Sequence, residues 1–154
     1  MLVNTTMAEL SDLTFRTAFI VYIVALIMSF IYYGRVNGVI EARREVQAKQ
    51  KVLVGAGGPE VVDTQSPLED EEYAAKIASA RKWAGMTQAL VWVGVALHVV
   101  AFITRGLAAK RFPLGNLYEY ILFMTAVIMV VAAVVVQRKN WHTVWPWLLF
   151  PMVI

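Results

Sequence analysis

Three stretches of this chain stay apolar for long enough to cross a lipid bilayer, and few folds are open to a polypeptide with that property. A hydrocarbon core of roughly 30 Å takes about 20 helical residues at about 1.5 Å each. The first stretch runs from about Phe15 to Tyr33, with Arg16 its only charge; the second is Met86 to Thr104, the third about Leu117 to Val136. The expected fold is all-α, a polytopic transmembrane helix bundle with three complete spans plus the start of a fourth. That fourth apolar run begins near Thr143 and reaches Ile154. About a dozen residues are too few to span. A re-entrant or interfacial segment is one reading of it, but we expect these 154 residues to be the N-terminal part of a longer protein. The first span is too long for a removable signal peptide, and no small-residue cleavage pattern follows it.

Composition agrees: 59% of residues are hydrophobic and 16% charged, with a mean hydropathy of +0.60. An ordinary soluble domain is excluded. A net charge of +3 and a pI near 9.3 invite a nucleic-acid reading, which the distribution rejects. Basic residues flank the apolar runs, and the polar segment from Arg35 to Lys82 balances eight basic against eight acidic residues. That pattern serves orientation in a membrane, so membrane lipid rather than nucleic acid is the expected partner. With no cysteine, any thiol chemistry must come from a partner.

Lys and Arg near span ends mark the cytoplasmic side. Arg35, Arg43, Arg44 and Lys49 follow span one, and Lys76, Arg81 and Lys82 precede span two. The chain therefore divides into 1–34, an external N-terminus and span one; 35–85, a cytoplasmic helical segment; and 86–154, spans two and three, the external loop 105–116 and the start of span four. Arg105, Lys110 and Arg111 in the external loop run against this rule. Either an anionic partner holds them, or they snorkel to lipid phosphate. Within 35–85, Val39 to Leu53 is rich in helix formers and continues span one, until Gly55-Ala-Gly-Gly-Pro59 breaks it. Ser66 as cap, Pro67 at the first helical position and Glu69 three residues after the cap start the helix that feeds span two. The acidic cluster Glu69 to Glu72 suits a helix N-terminus.

His98 is the only ionisable residue of span two, and an imidazole in hydrocarbon is expensive unless it faces protein, cofactor or water. It is a neutral ring hydrogen-bonded to a neighbouring helix, a proton relay, or an axial ligand to a haem iron held between helices. A proton relay needs a chain of titratable groups, and the three spans offer only His98 and, at an outer edge, Glu119. The ligand reading gains from that poverty. His142, the only other histidine, falls beyond the opposite end of span three, on the order of 20 Å away, so the two cannot share one iron. Asn116-Leu117-Tyr118-Glu119 reads as a capping box, with Glu119 reaching back toward the cap, and Pro113 keeps the loop from joining the helix early. Arg105 either pairs with Glu119 or binds a haem propionate through its planar fork. Trp141 to Trp147 reads as an interfacial aromatic belt rather than a haem platform.

From His98 through Arg105-Gly106 to Phe112-Pro-Leu-Gly-Asn-Leu-Tyr-Glu119, the chain resembles the CcsA/ResC family, named CcsB in some bacteria, of System II cytochrome c maturation. The resemblance covers about twenty residues closely and the order of spans loosely; Leu10-Ser11-Asp12 and the long polar segment look like actinobacterial members. It implies a multi-pass protein of the bacterial plasma membrane that binds haem b, with His98 as the first transmembrane axial ligand and Arg105, Tyr118 and Glu119 as further haem contacts. It also implies a ResB-type membrane partner, a thioredoxin-like thiol reductant and apocytochrome c, to whose two thiols the haem vinyl groups become joined in holocytochrome c synthase activity. The family's external tryptophan-rich motif with its Trp-Asp pair, its two external histidines and its second transmembrane histidine have no counterpart in this sequence. The other readings are a non-catalytic accessory membrane subunit of a respiratory complex and a transporter half completed elsewhere.

Overall fold

A computed structural model describes residues 5–55 and 67–154, and the side chains of 5–45 and 71–154. It consists of α1 (Thr5–Gly55), α2 (Pro67–Ala109), α3 (Leu117–Lys139), a 3₁₀ turn (His142–Val144) and α4 (Trp145–Val153), with no strand among the described residues. Three of these helices, α1, α2 and α3, are long and apolar enough to cross a membrane, and α4 is short. The expected all-α membrane bundle is the fold observed. α1 and α2 continue well beyond their apolar parts, so residues 35–55 and 67–85 of the polar segment are carried on extensions of the spans. Residues 56–66 lie outside the described residues, and with them most of the Gly55–Pro59 break and the Ser66 cap; α2 does begin at Pro67.

α1 and α2 form an antiparallel hairpin. Ser11 faces Ala101, Tyr22 faces Gly94 and Arg35 faces Ser79, one index rising as the other falls. The contact line has heptad spacing on both helices. On α1, Ser11, Ala18, Tyr22, Ala25 and Ser29 are buried; on α2, Ala84, Thr87, Val91, Gly94, His98 and Ala101 are. Alternating steps of three and four residues keep one stripe of each helix against the other. Lipid tails are as apolar as leucine, so small residues that let the backbones approach mark this seam rather than large apolar ones. Ser11 Oγ donates across it to the Ala101 carbonyl at 2.8 Å.

α3 lies against α2 through its own stripe of Glu119, Leu122, Ala126, Met129, Ala133 and Val136, which repeats the three-four spacing. Asn116 caps it, accepting the Glu119 N–H at 2.8 Å, and Asn140 ends it in the left-handed conformation at φ 53° with Arg138 and Lys139 in the last turn. α4 then folds back against α1. Its anchor is Trp145, fully buried, whose indole Nε1 donates to Gln88 Oε1 at 3.1 Å while Gln88 Nε2 donates to the Ala133 carbonyl at 3.2 Å. Gln88 thereby ties α2, α3 and α4 together. The aromatic belt expected over Trp141 to Trp147 is corrected here: Trp141 and Trp147 are exposed, but Trp145 belongs to the core, because α4 turns its first residue onto the Gln88 amide.

Between 22% and 39% of each apolar span is buried inside the bundle, so most of its apolar surface faces outward. In water such a surface would associate; in a bilayer lipid covers it.

Candidate functional site

The heptad seam that buries small residues also buries His98, at 0% exposure. Phe15 and Tyr22 on α1 meet it edge-on, with ring centroids 5.4 Å and 6.1 Å away, above and below the gap left by Ala18. Gly94 makes room for this arrangement: a methyl group at its Cα would sit 2.6 Å from the Tyr22 ring. From α3, Thr125 approaches the imidazole, with Oγ1 3.3 Å from Nε2.

Thr125 has one hydroxyl proton, and it goes to the Ile121 carbonyl at 2.7 Å. Nε2 then carries the ring hydrogen and donates it to Oγ1, which leaves the lone pair on Nδ1. Nδ1 is buried and has no hydrogen-bond partner. Native structures leave few such atoms without a partner, and those left over call for a functional or solvent explanation. Tyr22 Oη and Thr87 Oγ1, on the same seam, are also buried and unpartnered.

A cleft of about 430 Å³ opens one turn from His98, lined by Asp12, Phe15, Arg16, Arg105 and Tyr118. Phe15 is the wall between cleft and imidazole, since its ring touches both His98 and Tyr118, the latter at 6.2 Å. Arg105 lies over the Tyr118 ring at 5.2 Å and between two carboxylates, 3.7 Å from Asp12 and 3.7 Å from Glu119. Glu119 is nearly fully buried and is also met by Arg111 at 3.3 Å and by the Gly115 N–H at 2.8 Å.

These contacts settle three expectations. The capping box forms, but the Glu119 carboxylate takes the Gly115 N–H, one residue before the cap, rather than that of Asn116. The loop turns at Lys110, φ 51°, and Arg111 crosses over Gly115 to meet the same carboxylate. Arg105 pairs with Glu119 at 3.7 Å and the same carboxylate meets Arg111, while Lys110 has no ion pair among the described residues. Pro113 is buried against Gly106, where an added Cβ would meet it at 3.2 Å; the Arg105-Gly106 and Phe112-Pro113 pieces of the sequence are thus one packed corner.

His142 is at the other end. Its ring meets Tyr32 at 6.4 Å, whereas His98 meets Tyr22, and ten residues of α1 separate the two tyrosines by about 15 Å. The two histidines therefore do not converge. Among the described residues, no cluster of three or more His, Asp or Glu side chains could hold a bare metal ion.

For haem, the donor set fits in two respects. A neutral imidazole with a free lone pair is a suitable axial donor, and the guanidinium groups of Arg16 and Arg105 suit carboxylates. The packing is closed, however, since a ligand reaches His98 only when Phe15 or Tyr22 moves off the ring. Sequence reasoning singled out His98, Arg105, Tyr118 and Glu119, and the structure places Arg105 and Tyr118 at the cleft, Glu119 buried behind Arg105 and His98 behind the Phe15 ring. It missed Asp12, Phe15, Tyr22 and Thr125. Asp12 and Arg16 were visible as charges at the start of span one, but nothing in the local sequence pairs them with residues ninety positions away. Comparison with family models, curated proteins and solved structures found no match for this chain.

Proposed function

We propose that the chain is a haem-handling membrane protein of cytochrome c maturation, of the CcsA/ResC kind, which holds haem b between its helices and presents it outside the membrane for attachment to apocytochrome c. The observation that carries this reading is His98, buried in the seam between two apolar helices with Nδ1 unpartnered. Bound haem would supply the vinyl groups that the thiols of an apocytochrome attack. Within this chain, Thr125 orients the imidazole and fixes its tautomer, Phe15 and Tyr22 exclude lipid and water from it, and Arg16 and Arg105 give anionic groups a place at the outer rim. Tyr118 and Glu119 hold Arg105 there.

In this reading the N-terminus and the loop 105–116 lie outside a bacterial plasma membrane and 35–85 is cytoplasmic. A ResB-type protein and a thioredoxin-like reductant are its partners, and synthase activity belongs to the assembly that supplies the external tryptophan-rich surface.

The test is the reduced-minus-oxidised visible spectrum of the purified chain with haem b, beside His98→Ala. Bands of a b-type haem that collapse in the variant are expected. If both proteins give one spectrum, or neither binds haem, the second reading replaces the first. That reading, an accessory membrane subunit with a structural histidine, draws on the His98 to Thr125 hydrogen bond and the complete burial of the ring.

A further inference from the structure

At the end of the bundle away from His98, α1, α2 and the α3 to 3₁₀ corner border a cleft of about 560 Å³. Its lining includes Val36, Ile40, Ile77, Arg81, Gly85 and His142. Depth is the first argument. Val36 to Ile40 lie three to seven residues past Tyr33, where the apolar run ends, and Arg81 lies five residues before Met86, where the next begins. At about 1.5 Å per residue both sets stand about 5 to 10 Å beyond the hydrocarbon edge, which is the depth of the lipid headgroup layer.

Charge is the second argument. Arg35 donates to Ser79 and lies over Trp83 at 5.3 Å, Lys76 pairs with Glu72 at 2.9 Å, and Lys139 lies over Trp141 at 4.7 Å, while Arg43, Arg44, Lys82 and Arg138 are exposed and do not line the cleft. Arg81 lines the cleft, and among the described residues no carboxylate pairs with it. The third argument is the wall itself. Val36, Val39, Ile40, Ile77, Ala80 and Ala84 make an apolar surface continuous with the spans, which a soluble anion would not need.

We propose that this cleft binds one anionic phospholipid from the bilayer, its phosphate held by Arg81 and its acyl chains running past Val36, Ala84 and Tyr32 into the hydrocarbon. Basic pockets between transmembrane helices are suited to such headgroups. The site is independent of the haem reading.

The proposal is tested by native mass spectrometry of the full chain released from nanodiscs made of equal parts dioleoyl phosphatidylglycerol and dioleoyl phosphatidylcholine. Retention of one phosphatidylglycerol in preference to phosphatidylcholine is expected. Arg81→Gln should lower that preference about five-fold, and Arg81→Lys should keep most of it. Gly85→Leu should abolish retention by filling the cleft, because nothing lies within 4 Å of a Cβ built at Gly85. Lys82→Gln, next in sequence but off the cleft, should leave the preference unchanged.

Equal retention of the two lipids overturns the proposal. So does a loss in Lys82→Gln as large as in Arg81→Gln, which would mean a diffuse basic belt, or an equal loss in Arg81→Lys, which would mean a structural role. Displacement of the lipid by millimolar inorganic phosphate would make this a site for free anions and sink the lipid assignment.

Discussion

His98 and His142 are the same side chain in two settings. His98 is locked in a seam between two spans, oriented by Thr125 and covered by Phe15 and Tyr22. His142 sits in a 3₁₀ turn at the far end, half-buried beside an open cleft, with Tyr32 as its neighbour. The ends they belong to differ as well. On the His98 side a buried carboxylate meets Arg105 and Arg111 beside a cleft of about 430 Å³; on the His142 side Arg81 lines a cleft of about 560 Å³ with no carboxylate paired to it among the described residues. Pairing a cation within the chain and leaving one at a cleft make different demands on neighbouring residues.

The largest expected effect comes at the His142 end. Trp145→Ala removes a fully buried indole and leaves the Gln88 carbonyl without its donor, a loss of roughly 3 to 5 kcal/mol on the scale of large-to-small core changes. Denaturant unfolding in detergent would measure it. A loss confined to α4, with α1 to α3 unchanged by hydrogen exchange, would show that this end is an appendage and break the comparison.

Next is Glu119→Ala at the other end. It leaves Arg105, Arg111 and the Gly115 N–H without their acceptor, about 2 kcal/mol once the partial exposure of both arginines is allowed for. Protease cutting in 110–116 should rise. An uncut loop would show that Pro113 against Gly106 holds the corner alone.

Gly94→Ala comes third, at about 1 to 3 kcal/mol, because the new methyl overlaps the Tyr22 ring in the seam. In a Tyr22→Ala background the same Gly94→Ala change should cost much less, and the absence of that coupling would disprove the packing described for the His98 side.

The smallest is a pH effect of His142, whose burial pulls its pKa below the ordinary 6.5. The unfolded chain then takes up a proton before the folded one does. Stability should fall as pH drops below about 6.5 toward the depressed folded pKa, and be level above. His142→Gln should flatten that slope; an unchanged slope would place the acid sensitivity elsewhere.

Much of the fold could be read locally. The capping oxygen of Asn116, Pro67 at a helix start and the uncharged runs each act within a few residues. The seam was harder to see. In a span that is apolar all round, hydrophobic periodicity says little about which face is inside, and the markers are Ser11, Ala18, Gly94 and Ala101, small residues that score as unremarkable in hydropathy. Trp145 was misread for a related reason: an aromatic residue near a membrane edge fits a belt and a core equally until its partner, Gln88, is known.

The sequence by itself determined that this protein is a bundle of membrane-length helices, where its apolar runs lie, and that Asn116 caps the third span. Those are consequences of hydrocarbon thickness, backbone hydrogen bonding and capping, all local. Only the tertiary structure decided that Phe15, Tyr22 and Thr125 surround His98, that Glu119 meets both Arg105 and Arg111, and that Trp145 reaches Gln88. Those depend on how each helix is rotated about its axis, which is set by side chains from distant parts of the chain meeting across a seam.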